Sequence, residues 1–283
     1  MVVFAGQGDA RRSMALLWRT EGSAPPRAQR ASGPRPALSV EAIIEAGVAV
    51  ADADGMAALS MRAVGERLGR TAMALYTYVP GKSELVDLMY DHVLAELPTE
   101  YDLAPGWRSA VTSWAEDLWD FSLRHPWVLQ VSQARPVLGP HEYRSLETLL
   151  RLLYATELDS AALRRIVGTL FHCVRGAAQT VAESRLAAAS TGVSDEEWWR
   201  ARSGMLTEMV PDFAERFPLL VRLETEGAAP EPDASVPYLE REARATFEAG
   251  LSVILDGIEA AVARGCRAAA DARSAATSAR PLG

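Results

Sequence analysis

Cysteine and lysine are the scarcest chemistry in this 283-residue chain, which has two cysteines, Cys173 and Cys266, and a single lysine, Lys82. The cysteines lie far apart and form no C-x-x-C pair, which excludes a dithiol redox motif and a zinc ribbon and matches cysteine usage in a reducing cytoplasm. The four histidines, His92, His125, His141 and His172, lack the His/His or His/Cys spacing of a metal site, so no metal or other cofactor is expected. There is no nucleophile elbow, and the Gly6 and Gly8 pair is not followed by the rest of a phosphate-cradling loop; an enzyme is therefore not expected. No segment approaches the ~20 apolar residues of a membrane span. The short apolar runs near Met1 and Leu16 are too brief and poorly flanked for an export signal. Positive charge is in deficit, at a net charge of -8. That argues against a generic nucleic-acid coat, which needs excess cations along the phosphate backbone, but it leaves room for a local basic face.

What is present points to helices. With 49% hydrophobic residues the chain is long enough for two domains and a large core. The informative stretch runs from Ser60 to Leu85, SMRAVGERLGRTAMALYTYVPGKSEL. Ser60 is a good N-cap, because its hydroxyl can accept a hydrogen bond from an amide of the first turn, and Leu59 can staple onto Val64. Val64 and Leu68 then share one face, with Arg62, Glu66 and Arg67 on the solvated side. Gly69 can take the left-handed conformation that ends a helix, and Thr71 can cap a second one through Ala72, Met73, Ala74 and Leu75. Two helices joined by so tight a turn are the unit that presents a recognition helix to DNA. After Pro80 and Gly81, Lys82 opens another helix, whose first amides together with an ammonium make an anion site.

The run LGRTAMALYTYVPGKSEL, with its Leu75-Tyr76 pair, the aromatic at Tyr78, and Lys82 followed by Glu84 and Leu85, resembles the DNA-binding domain of the tetracycline-repressor (TetR) family. The resemblance covers Leu38 to about Leu97. It implies an all-α fold: an N-terminal three-helix helix-turn-helix DNA-binding domain over 38–97, and a C-terminal helical ligand-binding and dimerisation domain over 98–268. It also implies that Thr71, Ala72, Met73, Ala74, Tyr76, Thr77 and Tyr78 lie in or beside the major groove. On the same likeness Tyr76 and Lys82 hold phosphates, and Arg62 reaches DNA from the preceding helix. From the residues themselves, Ala72, Met73, Ala74 and Thr77 offer little bidentate hydrogen bonding, so direct readout would lean on methyl contacts and on Arg62 or Arg70. Tyr78 either faces DNA or packs inward, as aromatics at helical spacing often do. The segment from Ser39 to Leu97 is acidic as a whole, which requires its carboxylates to face away from DNA.

Residues 1–37 are rich in Pro, Ala and Ser and carry Arg11, Arg12, Arg19, Arg27, Arg30 and Arg35 against Asp9 and Glu21. Disorder is expected there and again over 269–283, because neither stretch holds a packable core. The basic tail is either a minor-groove arm or a solvated extension. Beyond Trp107 the chain reads as long helices. Trp107, Val111, Trp114, Leu118 and Phe121 recur at helical steps until His125-Pro126. A further helix is expected from Pro140 to Tyr154, and a mobile acidic loop from Glu224 to Pro237. The stripes Leu163 to Val181 and Phe247 to Val262 suit a four-helix homodimer interface or packing within one subunit. Trp114, Leu118, Phe121, Arg135, Leu149, Arg175 and Gln179 are candidates to line a pocket. Arg135 and Arg175 would then serve an anionic inducer, or pair with Glu147 and Glu183.

A weaker likeness to the tetracycline-binding repressors continues through Arg135-Pro136, Tyr143, Glu147-Thr148 and Phe171 to Gly176. Val131 and Thr180 stand where those repressors place a metal-binding histidine and a metal-linked glutamate, so magnesium-tetracycline is not the expected ligand. The expected protein is a cytoplasmic, homodimeric transcriptional regulator, a repressor released from a near-palindromic double-stranded DNA operator by a small-molecule inducer. A helical enzyme using the C-terminal cavity, and an adaptor whose helix-turn-helix binds protein, are the alternatives.

Overall fold

In the computed structural model, residues 3–19, 38–226 and 236–278 are described. They form α1 (Ala10–Leu17), α2 (Val40–Ala58), α3 (Met61–Leu68), α4 (Ala72–Tyr76), α5 (Lys82–Leu94) and α6 (Trp107–Arg124). After a 3-10 turn at Pro126–Gln130 come α7 (Pro140–Tyr154), α8 (Ser160–Thr191), α9 (Asp195–Met209), α10 (Phe213–Arg216), α11 (Pro218–Glu226) and α12 (Tyr238–Ser278). None of these helices is long and apolar enough to cross a membrane. The chain divides into two compact units, Met1–Arg175 with Val253–Gly283, and Gly176–Ser252; the expected boundary near residue 97 falls inside the first.

Capping chemistry starts the N-terminal helices where the sequence puts it. The Ser39 side chain accepts from Ala42 N–H and that of Ser60 from Ala63 N–H, both at 3.1 Å. Leu59 and Val64 are both fully buried, as a hydrophobic staple requires. α2 packs on α3 and α5, and α3 on α4, so the three-helix core closes over Ile43, Ile44, Leu75, Leu85 and Met89. α2 leaves helical geometry at Gly55 and makes one more turn through Met56. Pro126 stops α6, and Pro140 occupies the first turn of α7, where its missing N–H costs nothing.

Over residues 3–19 the structure departs from the expectation of a disordered tail over 1–37. Val3 pairs in parallel with Val131, α1 packs on α5, and Ala5 and Leu17 are buried. The missing core is supplied from outside the segment, by partners such as Asp87 for Gly6 and Leu138 for Trp18, 81 and 120 residues away in sequence, which composition does not reveal. Residues 20–37, with Arg27, Arg30 and Arg35, lie outside the described residues. At the other end α12 continues helical to Ser278, whereas disorder was expected from 269; residues 279–283 lie outside the described ones. Of the expected loop from Glu224 to Pro237, Glu224–Glu226 complete α11, and 227–235 lie outside the described residues.

In the second unit, Ala178, Val181, Ala243, Phe247 and Leu251 form the buried set, and Arg185 holds Glu240 through two hydrogen bonds of 2.8 and 2.7 Å. Ser194 and Glu197 make a reciprocal capping box at the start of α9. In the first unit, Leu163, Leu170, Val174, Leu255 and Ile258 are buried as well. Of the two stripes considered for a dimer interface, these members are buried within one subunit, whereas Ile166, Val167, Ala177, Ile254 and Val262 are half-buried.

α5 carries three buried carboxylates, Glu84, Asp87 and Asp91, on the side away from α2. Asp91 accepts from the first amides of α7, His141 N–H at 2.9 Å and Glu142 N–H at 3.0 Å. Asp87 accepts from Gly6 N–H at 3.1 Å. Burial raises the Asp87 carboxyl to about 6, the Gly6 amide opposes that rise, and the Glu84 charge adds to it. The folded protein thus holds this proton more tightly than the unfolded chain, whose Asp titrates at about 3.9. This group's contribution to stability is greatest below pH 4 and is lost as pH rises to about 6. Asp87→Asn, which keeps an acceptor for Gly6, should raise the melting temperature at pH 7.5 and flatten the slope of melting temperature between pH 4 and 6. An unchanged slope in thermal scans would show that the carboxylate is not destabilised.

Candidate nucleic-acid interface and ligand cavity

The turn between α3 and α4 is set by backbone constraints. Gly69 is left-handed (φ 63°), and its N–H bonds to Glu66 O at 3.1 Å; Arg70 N–H returns to Gly65 O at 2.8 Å. A Cβ on Gly65 would lie 2.8 Å from Arg70 O, so the turn can be this tight only with glycine there. Thr71 caps α4 by accepting from Ala74 N–H at 3.4 Å. Leu75 and Val79 then anchor the short helix in the core with no exposure.

That anchoring decides what faces out. Met73 is 75% exposed, Tyr76 41% and Tyr78 37%, although aromatic and thioether groups of this size are normally drawn inward. Thr77, Arg70 and Thr71 are exposed, and Ala72 and Ala74 are half-buried between them. Both tyrosines are exposed, so Tyr78 does not pack fully inward. Arg62 projects from α3 almost fully exposed and pairs with Glu66 at 2.7 Å, a hydrogen bond that raises its pKa. To reach a phosphate it must exchange one anion for another, and an exposed pair of this kind offers little resistance. Lys82, at the N-terminus of α5, is exposed and directs its ammonium to Met56 O at 3.4 Å, a long contact to the end of α2. The N-cap of α5, Gly81, offers no side chain to its first amides. The arrangement is a small apolar and aromatic helix surface flanked by Arg62, Arg70 and Lys82.

Behind this surface, a cavity of about 40 Å³ is lined by Tyr90 and Leu94 of α5, Leu118, Phe121 and Ser122 of α6, and Phe171 and Arg175 of α8. Val128, Leu129 and Gln133 complete it. Of the candidates named from sequence, Leu118, Phe121 and Arg175 meet there. Trp114 stands one layer back, edge-on to Phe171 at 5.1 Å between ring centres. Leu149 is fully buried core. Arg135 stacks over the Phe4 ring at 5.6 Å, and Gln179 is exposed and donates to Glu183 at 2.7 Å; neither lines the cavity. Arg175 pairs with neither carboxylate considered for it. Its guanidinium donates to the carbonyls of Val128, Leu129 and Val131, and burial lowers its pKa. Tyr90, Ser122 and Gln133 supply the cavity's other polar groups and were missed. Tyr90 and Leu94 are four apart on α5, a spacing that marks an inward face but not which space it meets. A second, open groove of about 710 Å³ runs along the outside of α7 past Trp18, Tyr143, Glu147 and Arg151.

The substitutions Lys82→Ala and Tyr76→Ala should weaken binding to all duplexes alike, with Lys82→Ala lowering the log–log salt slope by about 1. Met73→Ala and Ala72→Ser should instead change the preferred sequence at similar total affinity. Fluorescence anisotropy against a randomised duplex pool checks both, and four variants behaving alike would contradict this division of roles.

Comparison with known proteins agrees with this geometry. Residues 43–89 match the model of bacterial regulatory proteins of the tetR family, and residues 102–262 match the tetracyclin repressor-like C-terminal domain. The HTH-type transcriptional repressor DrrR1 of Streptomyces coeruleorubidus is 38% identical over 261 residues, spanning 92% of this chain and 89% of that one. Among solved structures, ActR of Streptomyces coelicolor without ligand superposes with a TM-score of 0.64 at 23% identity, covering 83% of this chain and all of that one. ActR in complex with (S)-DNPA superposes with a TM-score of 0.61 at 25% identity, over 79% of this chain and 98% of that one.

Proposed function

The chain belongs to the tetR family of bacterial regulatory proteins, and from that premise we propose that it is a cytoplasmic repressor whose grip on a near-palindromic operator is released by a small molecule entering the α5–α6–α8 cavity. It is a DNA-binding transcriptional regulator. The observation that carries the DNA-binding reading is the outward set of Met73, Tyr76, Thr77 and Tyr78 on a helix held from beneath by Leu75 and Val79, with Arg62, Arg70 and Lys82 around it, and the likeness to the repressor DrrR1 supports repression. Thr71, Ala72 and Ala74 complete the surface that would enter the major groove.

The cavity is too small as it stands for a drug-sized ligand, so a ligand response requires it to widen. About 40 Å³ holds one or two waters, whereas sites for drug-sized ligands run to ~300–1,000 Å³. A ligand therefore binds a conformer with α5, α6 and α8 further apart, and binding of that conformer in preference to the closed one is what shifts the population. Since α5 begins at Lys82 and lines the cavity at Tyr90 and Leu94, widening at one end displaces the phosphate-facing residue at the other. Tyr90, Ser122, Gln133 and Arg175 favour a ligand with several polar groups on an apolar frame. ActR's complex with (S)-DNPA makes that compound the first to try.

A homodimer would pair the helix faces left outside the subunit core. On α12 Val253 is 70% exposed beside Gly257, and on α8 Thr169 and His172 face outward. Small residues there allow close helix approach, and a twofold axis would space two recognition helices about one DNA turn apart.

A gel shift with the DNA upstream of the protein's own coding sequence, repeated with a metabolite panel that includes (S)-DNPA, tests the whole reading. Leu118→Trp, which fills the cavity, should keep operator affinity within about threefold and abolish release by whichever compound frees the wild-type complex. Retained release would move the ligand site elsewhere. Val253→Arg should give a monomer by light scattering and lower operator affinity at least tenfold, and a variant that stays dimeric would rule out this face.

A further inference from the structure

We propose that residues 3–19 form a strap that couples the cavity to α5 and so regulates how the helix-turn-helix is held for DNA, an inference that rests on the DNA-binding reading above. The strap is fastened at three places. At its start Val3 N–H donates to Gln130 O and Ser132 N–H donates to Val3 O, each at 2.8 Å. In its middle Gly6 N–H meets both Asp87 oxygens at 3.1 and 3.2 Å, and Gly8 lies so close to Glu84 that a Cβ would overlap its carboxylate. At its end Trp18 Nε1 donates to Leu138 O at 3.1 Å, its ring lies 6.2 Å from that of Tyr143, and Arg19 bonds Glu41 of α2 at 2.9 Å. One short segment thus touches the backbone after the 3-10 turn, the connecting helix α5, the approach to α7, and α2.

The segment is ordered by this docking and not by its own propensity. An eight-residue helix such as α1 is marginal in isolation, and here it stands with Leu17 and Ser13 buried. The Asp9 side chain caps it by accepting from Arg12 N–H at 2.8 Å.

The relay follows from a shared strand of backbone. Arg175, in the cavity wall, donates to the carbonyls of Leu129 and Val131. The same stretch, at Gln130 and Ser132, holds Val3. A ligand that draws the Arg175 guanidinium away frees those carbonyls and loosens the strap's first anchor. Three residues on from Val3, the strap's amide at Gly6 is bonded to Asp87, in the middle of α5. Cavity occupancy therefore reaches α5 by two routes, directly at Tyr90 and Leu94 and through the strap.

A demonstrated coupling, beyond spatial adjacency, is what such a route requires. The full-length protein and the variants Val3→Pro, which lacks the N–H that bonds Gln130, Gly8→Val, and the pair together would be compared. Two readouts apply: hydrogen exchange of the amides of residues 82–94 and 128–132, and affinity for the upstream duplex. Each single variant is expected to speed exchange in α5 at least tenfold and to shift duplex affinity at least fivefold. The double variant should do no more than the larger single one, because both cut one relay. Trp18→Ala, at the half-exposed end, replaces Gly8→Val if the latter does not fold. Faster exchange confined to residues 3–19, unchanged duplex affinity, or strictly additive effects would overturn the proposal. If the wild type binds no duplex, the repressor reading fails by itself, and α5 exchange still decides whether the strap clamps the helix.

Discussion

The burial of α5 on nearly every side is the constraint on which the first unit depends. Apolar Leu85, Val86, Leu88, Met89, Val93 and Leu94 are buried, and so are the carboxylates Glu84, Asp87 and Asp91. A helix that turns acids inward needs donors there, because an unpaired buried charge costs several kcal/mol. The donors are backbone amides, of Gly6 for Asp87 and of the α7 N-terminus for Asp91, where the helix dipole adds to the hydrogen bonds. Gly139 fits the same constraint, since a Cβ there would overlap Asp91. With packed partners around it, α5 cannot shift alone. Any movement it makes is shared with α1, α2 and α7, and the residue at its N-terminus is Lys82.

A second connection joins the helix-turn-helix region to the rest of the first unit at the corner after α6. Asp52 of α2 accepts from Trp127 Nε1 at 2.7 Å and meets His125 Nδ1 at 2.9 Å, while His125 Nε2 meets Glu96 at 3.2 Å. His125 and Trp127 are buried, so this polar cluster is rigid and geometrically demanding. The residues that end α6 therefore also hold α2. Helix termination by His125-Pro126 was evident from sequence, but the use of that corner as a joint was not.

The acidity of residues 39–97, the main compositional objection to DNA binding, is reduced by where many of the carboxylates go, with Glu45 and Asp54 remaining exposed. Glu41 is paired with Arg19, Asp52 is spent on His125 and Trp127, and Glu96 is held by Arg124 and His125. Glu84, Asp87 and Asp91 are buried under the strap and α7. Glu66 stands beside the candidate interface, and it is matched by Arg62. Net charge averaged over a segment says little about a surface when several of its acids serve as internal acceptors.

The sequence by itself determined the elements whose causes are local. Ser60, Gly69, Thr71 and Pro126 act on neighbours three or four residues away, so the start of α3, the left-handed stop, the cap of α4 and the end of α6 could be read directly, as could the family that this arrangement resembles. Tertiary structure alone decided which side chains share a space. Leu118, Phe121 and Arg175 meet at the cavity while Arg135 and Gln179 turn elsewhere, because a helical period gives a face and not its opposite wall. It decided also that Val3 to Arg19 is ordered, since Gly6 finds its acceptor 81 residues away and Trp18 finds its own at a separation of 120. Contacts so distant leave no periodic trace in a single chain; they exist only once the intervening loops have closed.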